Sequence, residues 1–162
     1  MQRIRVLFVC TGNICRSPTA EAVFRRLIEA AGLADDVTVD SAGTHDFNLG
    51  SAPDARAQAA AEHRGYGMRG IHARQVTMND FETFDFILAM DNGNLEILKR
   101  ACSPECLHKL RLVTHFSSHY PCWEIPDPYS GDNLAFERVL DMREDAVAGL
   151  VEHLSRQHES RV

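Results

Sequence analysis

Val6-Leu7-Phe8-Val9 is an unbroken apolar run that ends in Cys10 and passes through a short polar loop into a helical pattern at Ser17-Pro18. Without polar alternation, the run suits a strand buried on both faces of a parallel sheet. Ser17 is a residue type that caps helix N-termini, and Pro18 carries a φ already set for the first turn. Between them, Gly12 permits a tight turn and Asn13 is among the few residues that tolerate positive φ. A loop joining a strand end to a helix N-terminus collects free backbone N–H groups at the positive end of the helix dipole. The stretch therefore reads as a phosphate cradle placed after the first strand.

Cys10 stands at the mouth of that cradle, and Arg16 follows six residues later. The dipoles that would hold a phosphate dianion also stabilise a thiolate, the nucleophilic form of cysteine. Arg16 can grip two phosphate oxygens with its planar fork and follow their charge into a transition state. Ser17 can hydrogen-bond the sulfur and ease its departure in a second step. The implied chemistry is in-line displacement at phosphorus through a phosphocysteine. A Cys and an Arg at this spacing mean little alone in a chain with five cysteines. The weight comes from strand, glycine turn, anion-binding loop and helix start agreeing in one run.

Val9-Cys10-Thr11-Gly12-Asn13-Ile14-Cys15-Arg16-Ser17-Pro18-Thr19-Ala20-Glu21-Ala22 resembles the low-molecular-weight protein tyrosine phosphatases of bacterial type. So do Ser41-Ala42-Gly43-Thr44, Ala73-Arg74-Gln75 and Asp127-Pro128-Tyr129. The resemblance implies an α/β fold with a four-stranded parallel sheet in three layers, and hydrolysis of phosphotyrosine monoesters. It implies Cys10 as nucleophile, Arg16 as phosphate ligand and Asp127 as general acid and then base. Read from residue types alone, Pro126-Asp127-Pro128 is only a stiff turn. Thr11, Gly12, Asn13, Ile14, Cys15 and Ser17 would form the loop, with Asn13 and Ser41 bracing it from behind. Phe47 and Tyr129 would wall the cleft for a flat aryl group. Cys15 matches a second cysteine that could trap oxidised Cys10 as a disulfide. The family tends to place a histidine two residues before its Ala-Arg-Gln. This chain has Ile71 there and His72 next, so either a local shift lets His72 serve or the brace is absent. Ser130 stands where many relatives carry a second tyrosine.

The 162 residues suffice for one domain, expected over 1–162. A net charge of −6 disfavours a nucleic-acid partner. No segment has the length of a membrane span, and Met1-Gln2-Arg3 leads straight into the first strand, which implies a cytoplasmic location with reduced thiols. No cofactor or metal is called for. Cys102 and Cys106, with His115 and His119, imitate a zinc motif, but the gap between the pairs is too short for a finger. The other histidines, including His45, read as solvated. The implied partners are tyrosine-phosphorylated proteins, among them a bacterial tyrosine kinase, with the chain a monomer of weak self-association. Two rival readings stand beside it: arsenate reduction, which would need Cys102 and Cys106 as relay thiols, and a non-catalytic phosphotyrosine-binding module.

Helices are expected from Ser17-Pro18 to a Gly32 cap, over Ala52–Arg64, at Asp80–Thr83, over Asn92–Arg100 and from Asn133 to about Gln157. Strands are expected at Val6–Val9, Val37–Val39, Phe86–Met90 and Leu110–Val113.

Overall fold

The computed structural model describes residues 3–121 and 123–161, so Cys122 lies outside the described residues. The elements alternate as β1 (Ile4–Cys10), α1 (Arg16–Ala30), β2 (Val37–Gly43), α2 (Ala55–His63), α3 (Met78–Thr83), β3 (Phe86–Ala89), α4 (Asn92–Ala101), β4 (Leu110–Leu112) and α5 (Asn133–Arg161). Short 3-10 segments, Pro104–Lys109 and Val113–Phe116, flank β4. All strands run parallel in the order β2-β1-β3-β4.

β1 is interior to the sheet, and Val6, Leu7, Phe8 and Val9 expose no surface. Alternate β1 residues serve two cores. Val6 and Phe8 join Phe24 of α1 and Leu140 and Val147 of α5. Leu7 and Val9 pack with Phe81, Phe84 and Leu98 on the other face. That division explains the unbroken apolar run, since each side chain of a central strand needs an apolar partner above or below. Each such buried side chain contributes about 1.5–3 kcal/mol of burial free energy. The result is three layers, with the Cys10 loop at the C-terminal end of an interior strand, where open α/β sheets place ligands.

Several boundaries differ from expectation. α1 begins at Arg16 with Cys15 at the cap position, so Ser17 is not the cap. Its hydroxyl is turned toward Cys10 instead. α2 starts at Ala55 rather than Ala52, because Asp54 caps it by accepting from the Arg56 amide. α3 starts two residues early, with Asp80 accepting from the Thr77 amide. β2 continues to Gly43, in register with β1 as far as Cys10.

α5 is tied to α2 by Arg64, which donates to Glu137, Asp141 and Glu144. Farther along, α5 lies so close to Val113–Phe116 that a β-carbon at Gly149 would overlap the Phe116 carbonyl oxygen. Helix propensity alone would make Gly149→Ala stabilising by about 1 kcal/mol. The backbone clash reverses the sign, with an expected loss of about 1–3 kcal/mol, read as a lower urea midpoint at unchanged m. A raised midpoint would refute the close approach. Among the described residues, no helix is long and apolar enough to cross a membrane.

Candidate active site

The loop turns on Asn13, the one described non-glycine residue with positive φ, at 57°. An Asn in this region carries strain unless its surroundings hold it. Here the side chain is buried and fully engaged. Nδ2 donates to Ser17 Oγ (2.8 Å) and Ser41 Oγ (3.0 Å), and Oδ1 accepts from the Arg74 amide (3.0 Å). Ser41 in turn donates to Glu21 Oε1 at 2.7 Å, and Arg25 pairs with Oε2 of the same carboxylate. The chain of bonds ends at sulfur: Ser17 Oγ lies 2.9 Å from Cys10 Sγ. Ser17 Oγ accepts from Asn13 and has two neighbours for its own hydrogen, the sulfur at 2.9 Å and Ala42 O at 3.4 Å. Of the Ser17–Cys10 pair, only the hydroxyl can donate once Cys10 is a thiolate.

The end of β2 supports the loop from below. Thr44 N donates to Cys10 O and His45 N to Thr11 O. Gly43 is required there, since a β-carbon would come within 2.7 Å of Thr11 O. His45 is not simply solvated: its ring stacks on Phe47 with centroids 4.8 Å apart, and Nδ1 pairs with Thr44 Oγ1.

Arg16 is almost fully buried. Its Nη1 donates to Asp91 Oδ2 (2.6 Å) and Ile125 O (2.9 Å), and Nη2 reaches Thr11 Oγ1 at 3.4 Å. Asp91 caps α4 with its other oxygen, so a helix end fixes the carboxylate that aims the guanidinium. Nη2 also stands 3.8 Å from Asp127 Oδ2, bringing the late Pro-Asp-Pro segment over the loop. Asp127 Oδ1 accepts from the Tyr129 amide, and Oδ2 faces the cleft side with half of the side chain exposed. Arg56 holds this segment by donating to Tyr129 O (2.7 Å) and Gly131 O (3.3 Å) while lying over the Phe136 ring.

Together Cys10, Thr11, Gly12, Ile14, Cys15, Arg16, Phe47, Asn48, Asp127 and Tyr129 line one cleft of about 320 Å³. Phe47 is 69% exposed and Tyr129 56%, so both rings stand at the rim, Phe47 stacked on His45 and Tyr129 facing the Arg56 guanidinium. Asn13, Ser17 and Ser41 are buried and joined by hydrogen bonds behind the cleft. His72 does not brace the loop. It is exposed, and the Arg74 amide takes Asn13 Oδ1 instead. Burial, reinforced by Asp54, pushes the Cys15 thiol up to about 12, so it stays protonated near neutrality and would attack an oxidised neighbour only slowly. Cys102 and Cys106 pack against the Leu7–Leu98 core on the other face of the sheet, and His119 pairs with Asp145. No group of three or more potential ligands converges for a metal among the described residues.

Residue-level reading missed Asp91, Glu21, Arg56, Asn48 and Arg143. Only Asp91 carried a local signal, an Asp placed directly after an apolar strand at a helix start.

A cysteine and an arginine bound into one loop between a parallel strand and a helix N-terminus, with a carboxylate across the cleft, define a cysteine-type phosphatase architecture. The family model described as low molecular weight phosphotyrosine protein phosphatase matches residues 5–160. The chain is 42% identical over 160 residues to the low molecular weight protein-tyrosine-phosphatase of Streptomyces coelicolor, covering 97% of each chain. It is 43% identical over 136 residues to the human low molecular weight phosphotyrosine protein phosphatase, covering 83% of this chain and 85% of the human one. A crystal structure of a protein tyrosine phosphatase from Entamoeba histolytica superposes with a TM-score of 0.91 at 38% identity, covering 98% and 99% of the two chains. The chain belongs to the low molecular weight phosphotyrosine protein phosphatase family.

Proposed function

We propose that this family member hydrolyses phosphotyrosine with Cys10 as nucleophile, Arg16 as phosphate ligand and Asp127 as proton donor. The observation that carries the assignment is the convergence on one cleft of a Ser17-bonded sulfur, a buried guanidinium aimed by Asp91, and the Asp127 carboxylate. In the first step Cys10 sulfur attacks phosphorus, the P–O bond to the tyrosine breaks, and Asp127 protonates the departing oxygen. In the second, Asp127 takes a proton from water, water oxygen attacks phosphorus and the P–S bond breaks, with Ser17 donating to the leaving sulfur. Arg16 and the loop amides, with Thr11 to Cys15 supplying the cradle, hold the equatorial oxygens throughout. The domain performing this spans 1–162.

The exposed Phe47 and Tyr129 rings favour a flat aryl ester, so the substrates are tyrosine-phosphorylated proteins, an autophosphorylated bacterial tyrosine kinase among them. The enzyme acts in the cytoplasm as a monomer with weak self-association. Arsenate reduction is disfavoured by Cys102 and Cys106, which belong to the core on the sheet face opposite Cys10.

Matched phosphotyrosine and phosphoserine peptides with EDTA present test the reading. Phosphotyrosine should be favoured on the order of 10²-fold in kcat/KM, because a shorter serine ester must give up either ring contact or loop contact. Equal rates would sink the aryl-cleft reading. Turnover of arsenate with a dithiol, and of no phosphate ester, would move the assignment to reduction.

A further inference from the structure

Arg143, in the body of α5, is 1% exposed and lies beneath the phosphate loop. Its Nη1 donates to Cys15 O and Arg16 O, both at 3.0 Å, and Nε to Val139 O at 3.2 Å within its own helix. All three acceptors are neutral carbonyls, and among the described residues no carboxylate pairs with it. Arg16 has Asp91, and Arg64 has three acids. An unpaired buried cation is costly and is retained where its charge is used. Burial brings Arg143 down to about 9, leaving it protonated at neutral pH, and the acidic groups that bear on it most are Cys15 and Cys10. Cys15 is held protonated by its own burial. The anions left to balance Arg143 are the Cys10 thiolate and a phosphate seated above it.

The carbonyl contacts have a second consequence. Across a trans peptide, C=O and N–H point in opposite directions. Fixing Cys15 O and Arg16 O on the core side turns the amides of Arg16 and Ser17 the other way, toward the loop's interior. Thr19 adds bonds to Cys15 O from its Oγ1 at 2.7 Å and its amide at 3.4 Å, so Arg143 is one of three donors that hold that carbonyl.

We propose that Arg143 is a positioning residue of the phosphate site, a second buried cation that aims the loop amides and supplies positive potential to the bound anion without touching it. The proposal rests on the phosphatase reading of this loop.

The test compares wild type with Arg143→Leu, Arg143→Gln and Arg143→Lys by three readouts. These are inhibition by inorganic phosphate, kcat and KM for an aryl phosphate, and the ratio of Cys10 alkylation rates by iodoacetate and iodoacetamide. Both reagents need the same thiolate, so the ratio reports the potential felt by an incoming anion. In Arg143→Leu, phosphate inhibition should weaken about tenfold, KM should rise more than kcat falls, and the ratio should drop about tenfold. Arg143→Lys should recover most of the ratio and Arg143→Gln should not. A folded Arg143→Leu with wild-type inhibition and ratio overturns the proposal. If Arg143→Leu does not fold, equal ratios in the Gln and Lys variants overturn it. Wild type that neither hydrolyses aryl phosphate nor alkylates at Cys10 would instead bring down the phosphatase reading of the loop, and this proposal with it.

Discussion

Cys10→Ser is expected to hydrolyse aryl phosphates at least ~10⁴-fold more slowly than wild type, the scale of loss seen when a covalent nucleophile is removed. The substitution exchanges one atom and leaves the surrounding bonds available. Asn13 still spans Ser17, Ser41 and the Arg74 amide, and Arg16 still meets Asp91 and Ile125 O. What is lost is a soft, ionisable sulfur. A hydroxyl in its place stays protonated near neutrality, and the side chain it would meet among the described residues is another hydroxyl, Ser17. The loss should therefore appear in kcat, while inorganic phosphate still binds the loop with affinity within a few-fold of wild type. Rate measurements paired with phosphate titration of the variant separate the two effects. Retained activity would place the nucleophile elsewhere. Loss of phosphate binding in step with activity would mean that the sulfur is structural.

The strand, the loop and the start of α1 were legible because each depends on neighbours in sequence: an apolar run, a glycine, an Asn, a proline in the first turn. The parts that aim the chemistry depend on residues far apart in the chain and gave almost no local sign. Arg16 is oriented by Asp91 and Ile125, Asp127 is held through Arg56, and the loop is underpinned by Arg143. Nothing in a helical apolar pattern says that one of its inward positions is an arginine serving a loop at the other end of the chain. Ser17 shows the limit even within local reasoning. A hydroxyl before a proline is a sound capping signal, yet the chain enters the helix earlier, with Cys15 at the cap position, and the hydroxyl lies against sulfur. His72 shows the opposite case. The resemblance leaves two possibilities for it, and in the structure the residue is exposed while Asn13 Oδ1 accepts from the Arg74 amide. By residue type Asp127 is only a turn residue, and its role as acid is what the resemblance implies. The structure adds that its carboxylate stands at the cleft beside Arg16.

The second large effect is expected at that carboxylate. A tyrosine leaving without a proton departs as a phenolate whose conjugate acid has a pKa near ~10, a poor leaving group at neutral pH. Asp127 Oδ1 is anchored by the Tyr129 amide, and Oδ2 is left for the ester oxygen. Two flanking prolines and Arg56 limit how far the segment can swing. Asp127→Ala should lower kcat for phosphotyrosine by roughly 10²–10⁴, the usual contribution of a positioned acid or base. The loss should shrink as the leaving group improves, because an activated phenol needs less help from a proton. For the best leaving groups, breakdown of the phosphocysteine should become the slow step, since Asp127 also activates the attacking water. A burst of phenol release, followed by slow turnover, would then appear in Asp127→Ala. Pre-steady-state traces across a series of aryl phosphates measure both halves of the role. A loss independent of leaving group, with no burst, would show that Asp127 orders the cleft and that the proton comes from another donor.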